Sequence, residues 1–414
     1  MRTYLRGSYT LRRFWVYVST NSLDATSTAL LRDTAADGNQ SVSIGAAATG
    51  HFTDEVNTDS LTSGDYVNAE VDASASTTGS ITIRGRGVVI AHASESHSYF
   101  NTNRNDVGYF LADGSTYPFV PAGNLYASTQ SENDVEGRIR VDGNLDELAT
   151  YVDTNDHGGT LTCYIRINNA SGNNACSYVN KASGWVLAAT DPDAVSEGDE
   201  FNYYWDIPAT GGTKGPNVVS MQIFLAATTD GETQLVVGEQ QSRTLVSGSA
   251  RFIRVLGSVD WITTEASAQY EVALDTGEYT WAYLFTNVIA NDFNGTTTFI
   301  SRVNGADGNQ SVSYNSSETG QKEDTANSDV IGHEDLICYE GDTSASSSGT
   351  LEITVMCSRL VWDAGATTTT TSTSTSTTST STSTTSTSTS TTSTSTSTTS
   401  TSTSTTSTST STTS

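Results

Sequence analysis

Proline, methionine and histidine are scarce in this sequence, at five, three and five residues in 414. Cations are scarce too: 19 Lys and Arg face 46 Asp and Glu, a formal net charge of -27. So few cations leave no basic patch to neutralise phosphates, which excludes nucleic acid and anionic membrane as partners. No apolar run approaches the ~20 residues of a membrane-spanning helix, so no membrane span is expected. The opening eighteen residues carry early arginines but lack the apolar core and small-residue cleavage site of a secretory leader. Phe14 to Val18 reads instead as a strand. Three explanations stay open: export without a leader, release by cell lysis as virion parts are released, or a true start further upstream.

Catalytic signatures are missing as well. There is no HExxH, no G-x-S-x-G, no phosphate-binding loop and no dinucleotide fingerprint. The histidines (His51, His92, His97, His157 and His333) are scattered, and His92 and His97 share a segment with Ser94, Glu95 and Ser96 that reads as a solvated linker. The expectation is a protein that is not an enzyme and holds no cofactor.

Four cysteines are present, Cys163, Cys176, Cys338 and Cys357, with no CxxC and no histidine at zinc-ligand spacing. Each pair brackets a turn symmetrically, about Asn169-Ala170 and about Ser347-Ser348. A cross-strand disulfide in each pair and a pair of small buried apolar residues are both open readings.

What the chain does have is Ser, Thr, Gly, Asn and Asp, the residues of strands and tight turns. It also has an internal repeat. Residues 21–65, 155–199 and 291–335 align without a gap at offsets of 134 and 270. Among the positions identical in all three are Asn21, Thr26, Thr28, Arg32, Gly38, Asn39, Ser43, Gly50, Asp59 and Asp65, with their counterparts. Within the unit, Thr28–Arg32 and Gln40–Ile44 alternate as strands about the turn residues Asp37-Gly38-Asn39. Thr49-Gly50 and Ser63-Gly64-Asp65 supply further turns. Short strands with turns at this spacing are the pattern of an antiparallel sandwich.

The fold class expected is all-β: three tandem antiparallel sandwiches, jelly-roll or immunoglobulin-like, and a Ser/Thr tail. The boundaries are 1–90, 91–245, 246–366 and 367–414. Upstream of the second and third units lie further strands, Gly108–Ser115 with Glu136–Val141, and Arg251–Ser258 with Tyr270–Leu274. The first unit starts too late to contain its own version. Its sandwich is therefore expected to lack an edge strand, through a truncated gene or because a neighbouring subunit supplies the strand.

Residues 367–414 contain only Ser and Thr. Without charge, proline or an apolar residue the tail cannot build a core, and its composition reads as disordered. Its hydroxyls, Thr367, Thr368, Thr369, Thr370, Thr371 and Ser372 among the first, are acceptors for O-linked sugars, or the tail is an inert spacer. Asn39, Asn169, Asn294, Asn309 and Asn315 sit in N-x-S/T sequons, of which Asn309 and Asn315 stand as glycosylation candidates.

Two binding readings follow from residue type. Asp54, Asn57 and Asp59, matched by Asp324, Asn327 and Asp329, alternate oxygen ligands as a calcium loop would, although the same groups also suit turn hydrogen bonds. Trp185, Tyr203, Tyr204 and Trp205 could stack on sugar rings, or they could be core. Arg32, Arg166 and Arg302, repeated beside acids, are expected to make ion pairs within their own unit.

The third copy's run Asn304-Gly305-Ala306-Asp307-Gly308-Asn309-Gln310-Ser311-Val312-Ser313 resembles a tandem β-sandwich module of environmental phage virion, tail-fibre and extracellular filament proteins. The second copy departs from it at Asn168-Asn169-Ala170-Ser171 and Cys176. The resemblance implies a structural or receptor-facing appendage and brings no catalytic residues. The expected protein is an extracellular or virion-surface structural subunit that partners with copies of itself. The alternative is a carbohydrate-binding adhesin or receptor-binding fibre protein with glycan partners.

Overall fold

The computed structural model describes residues 3–363, apart from residues 5–8, 35, 63–64, 92–96, 104–108, 113, 125–130, 190, 211–214, 230, 249, 259–260, 272–277 and 333–334. The Ser63-Gly64 turn, His92, His333 and the whole Ser/Thr tail fall outside the described residues.

Nearly every described element is a strand, because the turn residues recur too often for a helix to propagate. In the first copy one sheet orders Thr3–Tyr4, Tyr66–Asp72, Ser27–Asp33 and Ala36–Ile44. A second sheet orders Gly50–Leu61, Tyr9–Asn21 and Ile81–Ala91. The predicted Phe14–Val18 strand is the middle of Tyr9–Asn21.

In the second copy Gly137–Arg138 pairs with Glu200–Ile207 as Thr3–Tyr4 pairs with Tyr66–Asp72, and Thr160–Ile167 and Ala170–Val179 follow. Ser115–Phe119 adds along the rest of Glu200–Ile207, a strand the first copy lacks among the described residues. Its other sheet runs Gly184–Leu187, Gly143–Asn155, Pro216–Ala227 and then a fourth strand, His97–Asn103. The third copy matches: Arg251–Ile253, Leu336–Asp342, Thr297–Val303 and Ala306–Tyr314 in one sheet, and Gly320–Gly332, Glu278–Asn291, Thr350–Asp363 and Glu232–Val246 in the other. So the segment holding His97, expected to be a linker, begins a strand. Glu232–Val246, assigned by sequence to the second unit, pairs with the last strand of the third.

The four-stranded sheets of the second and third copies join, and with the joining strand and the short flanking strands Asp193–Val195, Gly257–Ser258 and Tyr109–Phe110 they form a twelve-stranded sheet. The joint is Gly123–Asn124, which runs parallel both to Thr102-Asn103 and to Glu239.

Period-two patterning sets the cores. Along Ser27–Asp33 the residues Ser27, Ala29 and Leu31 are buried, and their counterparts Leu161, Cys163 and Ile165 point the same way. In the first copy Ala29, Leu31, Val42 and Ile44 of one sheet meet Leu11, Phe14, Val16 and Val18 of the other. A larger core fills the second copy around Trp205, Tyr178 and Phe201. The third is built around Trp281, Tyr339 and Phe299.

Candidate functional site

The residues identical in all three copies are the natural place to look for chemistry, and the structure assigns most of them to turns. Asp59 accepts the backbone N–H of Asn39 at 2.6 Å and that of Gln40 at 3.3 Å. Asp193 does the same for Asn173 and Asn174, at 2.6 and 3.0 Å, and Asp329 for Asn309 at 2.6 Å. The glycine beside each bond makes room for the carboxylate. A Cβ on Gly38, Gly172 or Gly308 would sit 2.7, 2.5 or 2.6 Å from an aspartate oxygen.

Asn21 bridges another turn. Its amide donates to the Gly45 and Ala48 carbonyls, and its oxygen accepts the Leu23 N–H. Asn291 repeats this with Asn315, Glu318 and Phe293, and Asn155 with Ala182 and His157. Asp65, Asp199 and Asp335 close the third turn on the N–H of Thr62, Ser196 and Gly332. Gly50, Gly184 and Gly320 hold φ of +111°, +98° and +99°, a region that only glycine enters without strain. Thr162 and Thr298 bond Ser177 and Ser313 across the ladder at 3.1 and 2.9 Å.

Each repeated arginine pairs within its own copy. Arg32 lies 2.5 Å from Glu70, Arg166 2.8 Å from Glu132, and Arg302 3.0 and 2.9 Å from Glu265 and Glu340.

The calcium reading meets the same answer. Asp54 accepts from the backbone of Ser41, Val56 and Asn57 and from the Asn57 amide. Asp324 accepts from Ser311, Ala326 and Asn327 in the same way. Burial works to raise both carboxyls, but these donors together hold them below the usual carboxylate range. Asn57 and Asn327 are donors here, not ligands. Asp59 and Asp329 accept instead from the neighbouring turn. Among the described residues no group of three or more His, Cys, Asp or Glu is placed to hold a metal.

The aromatic candidates do not form a sugar-stacking platform. Tyr203 and Trp205 are fully buried, Trp205 donating to the Met221 sulfur at 3.0 Å. Tyr204 lies on the other face of that strand, covered by the Arg166 guanidinium at 4.5 Å. Trp185 is in a different sheet, against Tyr151. Alternation along Glu200–Ile207 forces this outcome, because adjacent aromatics must point to opposite faces.

All four cysteines are buried free thiols. Cys163 and Cys176 do oppose each other across the ladder. Cys338 and Cys357 do not: Cys338 lies on Leu336–Asp342 in one sheet and Cys357 on Thr350–Asp363 in the other. The segment between them crosses between sheets, which symmetric spacing in sequence cannot distinguish from a hairpin. Of the sequon residues, Asn309 donates to the Ser328 carbonyl and Asn315 to Glu318. Both are exposed. The tail candidates Thr367–Thr371 and Ser372 lie outside the described residues.

What sequence reasoning missed is the seam between the second and third copies. Arg140 donates to Glu323 at 2.6 Å, and Arg138 to Gln321 at 2.6 Å. Both guanidiniums stack over Phe285, at 5.3 and 5.4 Å. Asn287 donates to the Asn133 carbonyl, and Thr354 to that of Asp134. Phe285, Val355 and Cys357 of the third copy belong to the core of the second. A cavity of about 350 Å³ opens on this seam, lined in part by Asp134, Glu136, Glu200 and Asn287. Burial, and then the neighbouring Glu200, push the Glu136 carboxyl up to about 8. Asn133, Thr319 and Gln321 supply the rest of the cavity's polar side chains. Residues 138 and 140 alternate in sequence as any strand would, so only the pairing across copies reveals them.

The first copy joins the second more lightly, Tyr9 stacking on Phe224 with ring centres 5.8 Å apart. The sharper feature is an edge. Ile81–Ala91 pairs with Tyr9–Asn21 on one side, and among the described residues nothing pairs with its other side.

No protein-family model matches the chain, and no curated protein matches its sequence. Solved structures give distant matches. A chain of Sulfolobus turreted icosahedral virus is 13% identical, with 86% of this chain and 80% of that one covered and a TM-score of 0.16. The insecticidal δ-endotoxin Cry8Ea1 of Bacillus thuringiensis is 10% identical, with coverages of 88% and 54% and a TM-score of 0.19. PNGF-II is 7% identical, with coverages of 86% and 99% and a TM-score of 0.21. At such scores the likenesses carry no argument about fold or role.

Proposed function

We propose that this chain is a non-enzymatic structural subunit of an extracellular filament or virion appendage. It is built as three tandem β-sandwich domains that assemble with copies of itself through their sheet edges. The observation that carries the reading is the use made of the identical residues. Across three copies the retained Asn, Gly, Asp and Arg side chains are spent on turn bonds and intradomain ion pairs, so triplication has kept a scaffold and not a reactive site.

The seam supports the same reading. A sheet continuous through two domains, with apolar residues of one domain in the core of the next, fixes their relative orientation as an appendage requires. The negative charge, spread over repeated turns, disfavours unplanned association and leaves assembly to specific edges. An extracellular or virion-surface setting fits the hydroxyl-rich composition.

Electron microscopy of the purified protein over a range of concentrations tests the proposal, beside a glycan array. Regular filaments or rings without glycan binding support it. Monomers that bind a defined sugar overturn it in favour of an adhesin.

A further inference from the structure

The three copies share a relay in their chain path. Thr10, Asn144 and Thr280 occupy the same place in their sheets, and their partners on the next strand are Ala91, Ala226 and Val361. In the second copy a fourth strand lies beyond, with His97 opposite Ala226. In the third, Glu232 lies opposite Val361. His97 follows Ala91 by six residues, and Glu232 follows Ala226 by six. The segment six residues beyond each copy's closing strand therefore completes the sheet of the following copy. Six residues beyond Val361 is Thr367, the first residue of the Ser/Thr tail. The position this relay leaves unfilled among the described residues is the edge of Ile81–Ala91 in the first copy, beyond Ala91.

We propose that the tail of one molecule, from Thr367 onward, adds as the fourth strand to the Ile81–Ala91 edge of a second molecule, head to tail. This rests on the structural-subunit reading above and names the partner segment at that edge.

The chemistry of the tail suits the role. Threonine is β-branched and favours extended backbone, and the tail has no proline to interrupt a ladder and no charge to repel a neighbour. Such a segment offers an uninterrupted row of backbone donors and acceptors to an exposed edge. Hydroxyl side chains are accepted at this position. The buried residues of His97–Asn103 include Ser98 and Thr102 beside Phe100, and the Thr102 hydroxyl donates to the Val120 carbonyl at 2.6 Å. The linkers are short in each case, and Ala364-Gly365-Ala366 stands where Thr228–Gly231 joins the second copy's last strand to Glu232. Strands of 7 and 15 residues fill the position in the other copies, so the 48-residue tail is long enough. A contact between different surfaces of identical molecules propagates into a filament, or closes into a ring.

The test compares the full chain with a chain lacking 367–414 and with one in which alternate threonines of 367–381 are replaced by proline. Neither change touches the described domains. Assembly is read by sedimentation, and amide hydrogen exchange is read across 81–91. A fourth protein, Ala91→Cys with Thr367→Cys, reports the register. The full chain is expected to assemble, with exchange over 81–91 slowed roughly tenfold or more against the tail-less chain. The tail-less and proline chains are expected to stay monomeric, and the double-cysteine chain to yield a ladder of disulfide-linked oligomers under mild oxidation. Equal assembly of the tail-less chain overturns the tail as donor while leaving the subunit reading intact. Monomers throughout, with fast exchange over 81–91, overturn both. Monomers with that edge protected show that it is filled within one molecule, which also overturns the proposal.

Discussion

Arg140 and Glu323 form an ion pair at 2.6 Å between the second and third copies, and the Arg140 side chain is only 2% exposed. A guanidinium so placed depends on its partner, since a buried charge left alone is costly. Glu323→Ala is therefore expected to lower stability by about 2–3 kcal/mol, the range for a charged hydrogen bond with a buried partner. The loss should fall on the seam, splitting thermal unfolding into separate transitions for the second and third copies. Calorimetry reads this, and a single unchanged transition would count against a rigid seam.

The turn glycines give a second expectation. Gly38→Ala, Gly172→Ala and Gly308→Ala each drive a methyl into an aspartate that holds two backbone N–H groups or their equivalent. Each should cost about 1–3 kcal/mol, as overpacked sites do. Gly158 has open space around it, so Gly158→Ala serves as the control and should be close to neutral. Chemical denaturation of the four variants checks the contrast.

Asp54 and Asp324 separate turn bonding from calcium binding. If the carboxylates serve only the N–H groups around them, chelator leaves the melting temperature unchanged. Asp54→Ala then destabilises by about 1–3 kcal/mol whether or not calcium is added, through the donors it leaves unpaired. A melting temperature that rises with calcium in the parent and not in the variant would restore the ion.

The pH dependence has a definite sign at Glu136. Its carboxyl is raised to about 8 from an ordinary 4.5, so the native protein keeps a proton there that the unfolded chain releases earlier. The stability this contributes is full below about pH 4.5 and is lost as pH rises through about 8. Glu136→Gln removes the titration, so the variant should gain stability relative to the parent between pH 5 and about 9. Parallel melting curves for the two across that range would contradict the assignment.

Much of this was legible in the sequence, for a physical reason. Turn chemistry is local, so Asp37-Gly38-Asn39 and the three aligned copies placed the hairpins directly. The same local period of two along Ser27–Asp33 and Thr160–Ile167 is what buries Ala29, Leu31 and Cys163. Pairing partners are not local. The segment around His97 is polar enough to read as solvent-exposed, yet it lies beside Pro216–Ala227, more than a hundred residues away in the chain. The Arg140–Glu323 pair and the crossing between Cys338 and Cys357 were hidden in the same way. Trp205 and Tyr204 look like one aromatic patch in sequence, but a strand sends them to opposite faces.

The most direct measurement of the central claim is negative-stain microscopy of the purified full chain at increasing concentration, with sedimentation alongside. Regular head-to-tail filaments or rings of uniform width that lengthen or become more numerous with concentration are expected. A protein that stays monomeric at every concentration, with no ordered assembly in any field, would contradict the claim.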